Sequence, residues 1–268
     1  MTAPALSADI ADFARRDFTF NGKTKPVLLI GDTGPAVIVI HEIFGFTPPL
    51  ARFCRWIAAA GMRVYAPILR GTPDATNREH AGLGAILSLC VSREFTLFRA
   101  NVASPVVDWL KPLARQAHEE CGGPGVGVIG MCLTGGFGLA MAVDPVVLAP
   151  VMSQPSMPPR APRALDLSPA DLACVKDRAR DGLEIRGYRF AGDPLAHPER
   201  FETLRTEFGD AFKGTTLPDS AGNPDSTLAR AGRPPHSVMT GDLIDAPNEP
   251  TRQAADEVIA FFKTRLNA

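Results

Sequence analysis

The stretch Val126–Ala140 reads VGVIGMCLTGGFGLA, and it decides the fold. A short run of valine and isoleucine leads into Gly130, and small, helix-forming residues follow Cys132. The order of strand, sharp turn and helix is typical of a nucleophile elbow, with Cys132 at the tip. Glycine two residues before the nucleophile allows close backbone approach, since no Cβ blocks it. Cys132 would lie at a helix N-terminus, where N–H groups and the dipole favour a thiolate and can stabilise an oxyanion.

Two other interpretations of this stretch stay open. The chain carries no charge from Cys121 to Val143, as in a membrane helix. The many glycines and the early alternation of valine and isoleucine instead favour a strand followed by a helix. Cys132 can also be a buried structural cysteine, which is the common fate of a free thiol. The rest of the chain has to support the catalytic interpretation.

The length predicts a single domain over residues 1–268, or one domain with an insertion, and the 45% hydrophobic and 21% charged residues are ordinary for a globular enzyme. A net charge of −1 predicts neither nucleic-acid nor membrane binding. The N-terminal sequence lacks the pattern of a signal peptide, and the five cysteines are an odd number without metal-ligand spacing. We therefore expect a reduced, cytoplasmic protein without a metal.

Alternating strand and helix patterns predict a mostly parallel central sheet flanked by helices. The continuous β-branched run Pro35–Ile40 is typical of a strand buried on both faces. A helix over Pro49–Ala60 and a strand over Met62–Pro67 complete a βαβ unit. Asn21-Gly22 predicts the turn of a β-hairpin within Asp17–Ile30.

The same patterns continue to the C-terminus. Strands are predicted over Pro145–Val151 and Leu183–Phe190, and helices over Val102–Gln116, Arg200–Phe208 and Thr251–Leu266. Three segments fit the alternation poorly: a cap or lid within Ala81–Phe98, a surface loop plus helix within Pro155–Gly182, and a long loop at Lys213–Pro235. We treat the last two as insertions near the pocket mouth.

Cys132, Asp193 and His236 occur in the order of an α/β-hydrolase triad, each at a predicted strand end or in a following loop. A thiol must lose its proton to attack a carbonyl, an imidazole can take and return that proton, and a carboxylate fixes the imidazole tautomer. His41 and Glu42 follow the strand Pro35–Ile40, at the edge where open α/β sheets bind ligands.

Each assignment has a competitor. Asp193, in Gly-Asp-Pro, can be a turn former, and Glu42 can be a solvated loop residue. Three other acids compete with Asp193, although none follows a comparable predicted strand: Asp210, Asp219 and Asp242. Four other histidines are less well placed than His236: His41, His80, His118 and His197.

Four motifs together resemble the dienelactone hydrolases of the α/β-hydrolase superfamily. They are His-Glu-Ile-Phe-Gly (41–45), Gly-Met-Cys-Leu-Thr-Gly-Gly (130–136), Gly-Asp-Pro (192–194) and His-Ser (236–237). The resemblance spans the chain from about Phe18 to the C-terminus. It implies an α/β-hydrolase fold with the triad Cys132, Asp193 and His236. It also implies cleavage of an ester, lactone or thioester without a cofactor.

The resemblance assigns roles to three further residues. Glu42 corresponds to a glutamate that hydrogen-bonds the resting cysteine and gives way to substrate. The backbone N–H groups of Ile43 and Leu133 correspond to the oxyanion hole, which agrees with the donors expected at an elbow.

The sequence departs from the family pattern in ways that leave the substrate open. Thr134 stands where an elbow usually has glycine, and Gly135 would have to relieve the crowding. Thr240 stands where dienelactone-cleaving relatives place a carboxylate-binding arginine, while Arg78 or Arg93 can serve as a second such arginine.

Three functions remain possible at this stage. The first is a hydrolase of a small-molecule ester or lactone that acts as a monomer or homodimer. The second is a non-catalytic binding or redox-sensing protein on the same fold. The third is an acyltransferase or carbon–carbon hydrolase that uses the same triad.

Overall fold

The computed structural model describes residues 10–71, 104–156 and 161–268, and its eight strands form one sheet. The strands are β1 (Ala14–Phe20), β2 (Lys23–Ile30), β3 (Ala36–Ile40), β4 (Arg63–Pro67), β5 (Val126–Met131), β6 (Val147–Ser153), β7 (Ile185–Phe190) and β8 (Phe212–Leu217). The helices, numbered in order through the described ranges, are α1 (Pro48–Ala59), α2 (Pro105–Cys121), α3 (Gly135–Met141), α4 (Pro169–Arg180), α5 (Pro198–Phe208), α6 (Thr227–Arg230) and α7 (Pro250–Leu266).

The strand order is β1-β2-β4-β3-β5-β6-β7-β8. β1 pairs antiparallel with β2, and β2 pairs antiparallel with β4, while every later pair is parallel. The β1–β2 turn has Asn21 and Gly22 at φ of 48° and 72°, the left-handed pair that a tight two-residue hairpin needs. This confirms the predicted hairpin, the mostly parallel sheet and the α/β class.

Helices cover both faces of the sheet, which explains the continuous hydrophobic runs in its central strands. Alternate residues of β3 enter two separate cores. Ile38 belongs to the core that also contains residues of α2, α3 and α5, whereas Val37 belongs to the core that contains residues of α1 and α7. Both side chains are fully buried. A strand buried on both faces cannot show polar alternation, so the run Ala36–Ile40 follows from its position in the sheet.

The sequence predicted a long loop at Lys213–Pro235, but the structure shows that this segment is not a continuous loop. Its start belongs to β8, and α6 forms a single turn further on. β8 lies at the edge of the sheet, and of its residues only Phe212 and Leu217 are buried. The middle of this edge strand (Lys213–Thr216) is partly or fully exposed and therefore shows little hydrophobic signal, which explains the error.

Pro155–Gly182 contains the predicted helix, α4, but residues 164–167, which come shortly before it, do not form a surface loop. Residues 164–167 are buried, and Asp166 forms an ion pair with the fully buried Arg200 of α5, at 2.6 Å between Oδ2 and Nη2. A Cβ on Gly136 of α3 would overlap the Asp166 carboxylate. The insertion is therefore packed directly against the helix that follows Cys132.

The remaining predicted elements lie close to their expected positions. α2 begins three residues later and ends five residues later than the predicted helix over Val102–Gln116. The predicted cap within Ala81–Phe98 falls outside the described residues. No helix in the described part of the chain is both long enough and apolar enough to cross a membrane.

Candidate active site

Cys132 lies at the tip of a sharp turn between β5 and α3. Its φ of 57° places a non-glycine residue in the left-handed region, which costs on the order of 1 kcal/mol or more. Gly130 permits this turn, because a Cβ there would overlap the carbonyl oxygen of Thr134. Cys132 begins a 3₁₀ turn, Cys132–Thr134, that continues into α3. The strand–turn–helix order predicted for the elbow is confirmed.

Thr134 fits the elbow through its hydroxyl group. Oγ1 lies 2.9 Å from the Met131 carbonyl and 3.0 Å from the His41 carbonyl, and it accepts a 3.1 Å hydrogen bond from the Met131 amide. The side chain therefore ties the end of β5 to the end of β3. Gly135 does not relieve crowding at Thr134, because the nearest atoms to a Cβ there belong to Pro155 and Ser153.

His236 and Asp193 form a buried pair beside Cys132. His236 Nδ1 lies 2.7 Å from Asp193 Oδ2. Asp193 Oδ1 accepts hydrogen bonds from the amides of Leu195 (2.9 Å) and Ala196 (3.3 Å). One carboxylate oxygen thus fixes the loop after β7, and the other orients the imidazole.

Charge around His236 favours its protonated form. Burial alone would lower the pKa of His236, but the side chain of Cys132 and the carboxylate of Asp193 outweigh burial and raise this pKa well above its usual value. Because the raised pKa is that of the imidazole, His236 is suited to take the proton of the neighbouring thiol and to hold it as an imidazolium.

His41 serves the structure of the site and does not act as a base. Its Nε2 accepts hydrogen bonds from the amides of Leu69 (2.9 Å) and Arg70 (3.3 Å), and its Nδ1 lies 2.5 Å from the Glu42 carbonyl. Burial, as the main cause, lowers the pKa of His41 to about 4. The side chain therefore stays neutral and joins the end of β3 to the chain that follows β4.

This environment predicts a pH dependence of stability between about pH 6.5 and pH 4. The unfolded chain binds a proton at His41 in that window and the folded chain does not, so stability falls as pH falls. The lowered pKa corresponds to about 3 kcal/mol. Urea unfolding should be measured for the wild type and for His41→Gln at a series of falling pH values. The difference between their unfolding free energies should shrink or reverse, and the total change should be about this amount. The difference above pH 7 is the internal control, and parallel curves would contradict the assignment.

Glu42 is enclosed by three side-chain donors. Oε1 accepts from Thr240 Oγ1 (2.7 Å) and Gln154 Nε2 (2.8 Å), and Oε2 accepts from Ser237 Oγ (3.0 Å). Burial raises the pKa of Glu42, while the charge on His236 and the hydrogen bonds from Thr240 and Ser237 oppose that rise. We call Glu42, Gln154, Ser237 and Thr240 the Glu42 network.

The Glu42 network changes the role implied by the family resemblance. Cys132 is not among the hydrogen-bond partners of Glu42, so the implied bond to the resting cysteine is not formed. The side-chain hydrogen bonds that Glu42 accepts in the described residues come from Gln154, Ser237 and Thr240. Glu42 instead links the loops after β3 and β6 to the loop that carries His236.

Ser156 was missed in the sequence, and Asp242, which was considered only as a competitor of Asp193, has a different role. Ser156 Oγ lies 3.6 Å from Cys132 Sγ and 3.5 Å from His236 Nε2. Asp242 Oδ2 accepts 2.8 Å hydrogen bonds from the amides of His236 and Ser237. Ser156 follows the predicted strand Pro145–Val151, so the argument that selected Glu42 could have found it.

Asp219 contradicts one step of the sequence argument, because it does follow a strand, β8. Its Oδ1 accepts a 2.7 Å hydrogen bond from the Gly192 amide, and it therefore supports the loop of Asp193. Arg189 supports the same loop, donating to the carbonyl oxygens of Ala191 (2.9 Å) and Ala196 (2.7 Å). Asp193 is the acid that contacts His236.

The predicted oxyanion donors lie in the segments that follow β3 and β5. Leu133 is the second residue of the 3₁₀ turn, where backbone N–H groups have no intrahelical acceptor. Ile43 lies in the turn closed by the 3.1 Å hydrogen bond from the Gly45 amide to the Glu42 carbonyl. Arg78 and Arg93 fall outside the described residues. Within the described residues, no group of three or more His, Cys, Asp or Glu side chains is arranged to hold a metal ion.

Comparison with known proteins supports the α/β-hydrolase fold and identifies a family. The model of the dienelactone hydrolase family matches residues 26–165, more than half of the chain. No curated protein sequence matches the chain.

Solved structures share the fold over nearly the whole chain. A structure described as a candidate dienelactone hydrolase from Klebsiella pneumoniae has a TM-score of 0.61 at 18% identity, covering 95% of this chain and 98% of its own. A dienelactone hydrolase-like promiscuous phosphotriesterase from metagenomic libraries has a TM-score of 0.62 at 18% identity, with the same coverages. A thioesterase domain from the curacin biosynthetic pathway has a TM-score of 0.54 at 10% identity, covering 92% and 99%. At these identities, the similarity establishes the α/β-hydrolase fold and not a substrate.

Proposed function

Because the chain belongs to the dienelactone hydrolase family, we propose that it is a cysteine hydrolase that cleaves a carboxylic ester, lactone or thioester through an acyl-Cys132 intermediate. The observation that carries this proposal is the position of His236. Its Nδ1 lies 2.7 Å from Asp193 Oδ2, and the side chain of Cys132 raises the pKa of His236. A buried imidazole between a carboxylate and an elbow thiol is the arrangement that nucleophilic acyl transfer needs.

The proposed reaction has two halves. The proton of the Cys132 thiol passes to His236 Nε2, and the sulfur attacks the substrate carbonyl. The amides of Ile43 and Leu133 bind the oxyanion, and His236 returns its proton to the leaving group as the carbon–oxygen or carbon–sulfur bond breaks. In the second half, His236 takes a proton from water, and the hydroxide attacks the carbonyl carbon of the acyl-Cys132 thioester. The carbon–sulfur bond then breaks, His236 returns its proton to the Cys132 sulfur, and the carboxylic acid product departs.

Thr240 limits how far the family resemblance extends to the substrate. Its hydroxyl donates to Glu42, and it carries no positive charge for a substrate carboxylate. The proposal therefore covers small-molecule esters and lactones as a class and does not extend to dienelactone itself.

The proposed setting is the cytoplasm, with a small molecule as the partner. The four cysteines within the described ranges are all free: Cys54, Cys121, Cys132 and Cys174. Free thiols are typical of a reducing compartment, and a nucleophilic thiol needs such conditions to stay reduced. The proposed steps use no metal and no organic cofactor.

The function is tested by turnover on a panel of substrates of different bond type. p-Nitrophenyl acetate, a thioester, an aromatic lactone and a phosphotriester should be assayed with the wild-type enzyme and with enzyme blocked at Cys132 by iodoacetamide. We expect multiple turnovers on the carboxylic ester, lactone or thioester, abolished by the block. Turnover of the phosphotriester alone would contradict the carboxylic-ester proposal. A burst without turnover would favour a thiol that senses or transfers acyl groups.

A further inference from the structure

The buried hydroxyl group of Ser156 lies near the two reacting atoms of the site, Cys132 Sγ and His236 Nε2. Its Oγ lies 3.6 Å from Cys132 Sγ, 3.5 Å from His236 Nε2 and 3.3 Å from the Gln154 carbonyl oxygen. Ser156 is only 6% exposed, so bulk water does not compete freely for these contacts.

The backbone fixes Ser156 in this position. Its amide donates a 2.9 Å hydrogen bond to the Cys132 carbonyl, so the chain after β6 is attached directly to the elbow. Two residues earlier, Gln154 has a φ of 33°, an unfavourable conformation for a residue with a side chain. The Gln154 amide donates a 2.7 Å hydrogen bond to the Tyr188 carbonyl of β7, and its side chain joins the Glu42 network. Strained backbone held by this many contacts commonly marks a functional site.

The Ser156 hydroxyl can donate a hydrogen bond to only one of its neighbours at a time. Ser156 has one proton to donate, and Cys132 Sγ and the Gln154 carbonyl are both within reach. When His236 holds the thiol proton, its Nε2 becomes a donor and can no longer accept from Ser156. A thiolate accepts a hydrogen bond more strongly than a neutral carbonyl, since charge-assisted hydrogen bonds are about twice as strong as neutral ones.

We propose that Ser156 is a further catalytic residue, which donates a hydrogen bond to the thiolate of Cys132 and so stabilises the thiolate–imidazolium pair. In this step the proton leaves Sγ for Nε2 of His236, the electron pair stays on sulfur, and Ser156 keeps its own proton. Once Cys132 is acylated, its sulfur is a poor acceptor, and the Ser156 hydroxyl can turn to the Gln154 carbonyl.

Three carboxylates in the described part of the chain lie near the pair. Asp193 contacts His236 Nδ1, Asp242 holds the His236 amide, and Glu42 lies close enough for the charge on His236 to affect its pKa. These groups favour the imidazolium but supply no hydrogen bond to the sulfur. Among the described residues, the Ser156 hydroxyl is the side-chain O–H group placed to donate to Cys132 Sγ.

The test is the pH dependence of Cys132 alkylation by iodoacetamide, with the modified peptide resolved by mass spectrometry. In Ser156→Ala we expect the alkylation rate near pH 6 to fall about tenfold, and the pH midpoint of the profile to rise by about one unit. Ser156→Thr should retain the wild-type profile, whereas Ser156→Val, which has the shape of threonine without its hydroxyl, should behave like Ser156→Ala. Ser168→Ala, which removes the hydroxyl that caps α4, is the matched control and should leave the profile unchanged.

The threonine–valine pair decides the result even if Ser156→Ala folds poorly. Valine and threonine variants with the same profile would overturn the proposal, as would an unchanged profile in Ser156→Ala. The inference rests on the proposed function for its catalytic meaning, yet alkylation needs no ester substrate. A shifted profile without ester turnover would contradict the hydrolase alone, and ester turnover with an unshifted profile would contradict the role of Ser156 alone.

Discussion

Replacing Cys132 by alanine should lower the steady-state hydrolysis of p-nitrophenyl acetate by at least about 10⁴-fold, since removing the nucleophile of a triad typically costs this much or more. No other thiol is placed beside His236 in the described residues: Cys54 lies buried in α1, and Cys121 and Cys174 lie on α2 and α4. The initial burst of p-nitrophenol should disappear together with turnover.

The matched control is Cys54→Ala, which removes another buried thiol from a position remote from the elbow. We expect its kcat/KM per folded molecule to match the wild type. Thermal unfolding should show that Cys132→Ala remains folded, because a small side chain is exchanged for a smaller one at one site. Retention of more than about a tenth of the wild-type turnover in Cys132→Ala would show that another group is the nucleophile.

Replacing Asp193 by asparagine should lower kcat by about 10³-fold to 10⁴-fold, since the corresponding change in a serine protease triad costs about 10⁴-fold. The asparagine oxygen can still accept from the amides of Leu195 and Ala196, so the loop can keep its geometry. The new NH₂ group, however, faces His236 Nδ1 in place of the carboxylate oxygen. The ring then carries its proton on Nε2 and cannot accept the proton of Cys132.

Asp219→Asn is the matched control for this change. Asp219 lies on the neighbouring loop, and its Oδ1 accepts from the Gly192 amide, which an asparagine oxygen can also do. We expect less than a tenfold change in kcat for this variant. Equal losses in the two variants would mean that loop structure, and not the tautomer of His236, explains the effect of Asp193→Asn.

The fold could be predicted in large part because buried parallel strands and their flanking helices leave strong signals. β3 and β5 are continuous apolar runs, and the glycines around Cys132 mark the elbow. β8 left no such signal, because its middle residues are exposed at the edge of the sheet. Hydrophobic periodicity reports burial, and an edge strand with polar residues is buried too little to be detected.

Individual site residues could be predicted only where their order along the chain matches that of a known catalytic triad. Cys132, Asp193 and His236 were identified from their order and from the strand ends before them, and the structure brings Asp193 and His236 into direct contact. The partners of Glu42 could not be predicted in this way. Gln154, Ser237 and Thr240 reach Glu42 from two other loops, and a contact between distant loops has no local sequence pattern.

The roles of Thr134 and Thr240 show the same limit. From the sequence, each threonine is only a departure from a family pattern. In the structure, the Thr134 hydroxyl ties β5 to β3 beside the nucleophile, and the Thr240 hydroxyl donates to Glu42. Each departure is accommodated by a hydrogen bond whose acceptor lies far away in the chain.

The central claim is that Cys132 becomes acylated during turnover, and intact-mass spectrometry of acid-quenched enzyme tests it most directly. Wild-type protein mixed with excess p-nitrophenyl acetate and quenched within the burst should gain the mass of one acetyl group, located by peptide mapping on Cys132. The adduct should disappear as the substrate is exhausted. Turnover without an adduct on Cys132, or with the acetyl group on another residue, would contradict the account.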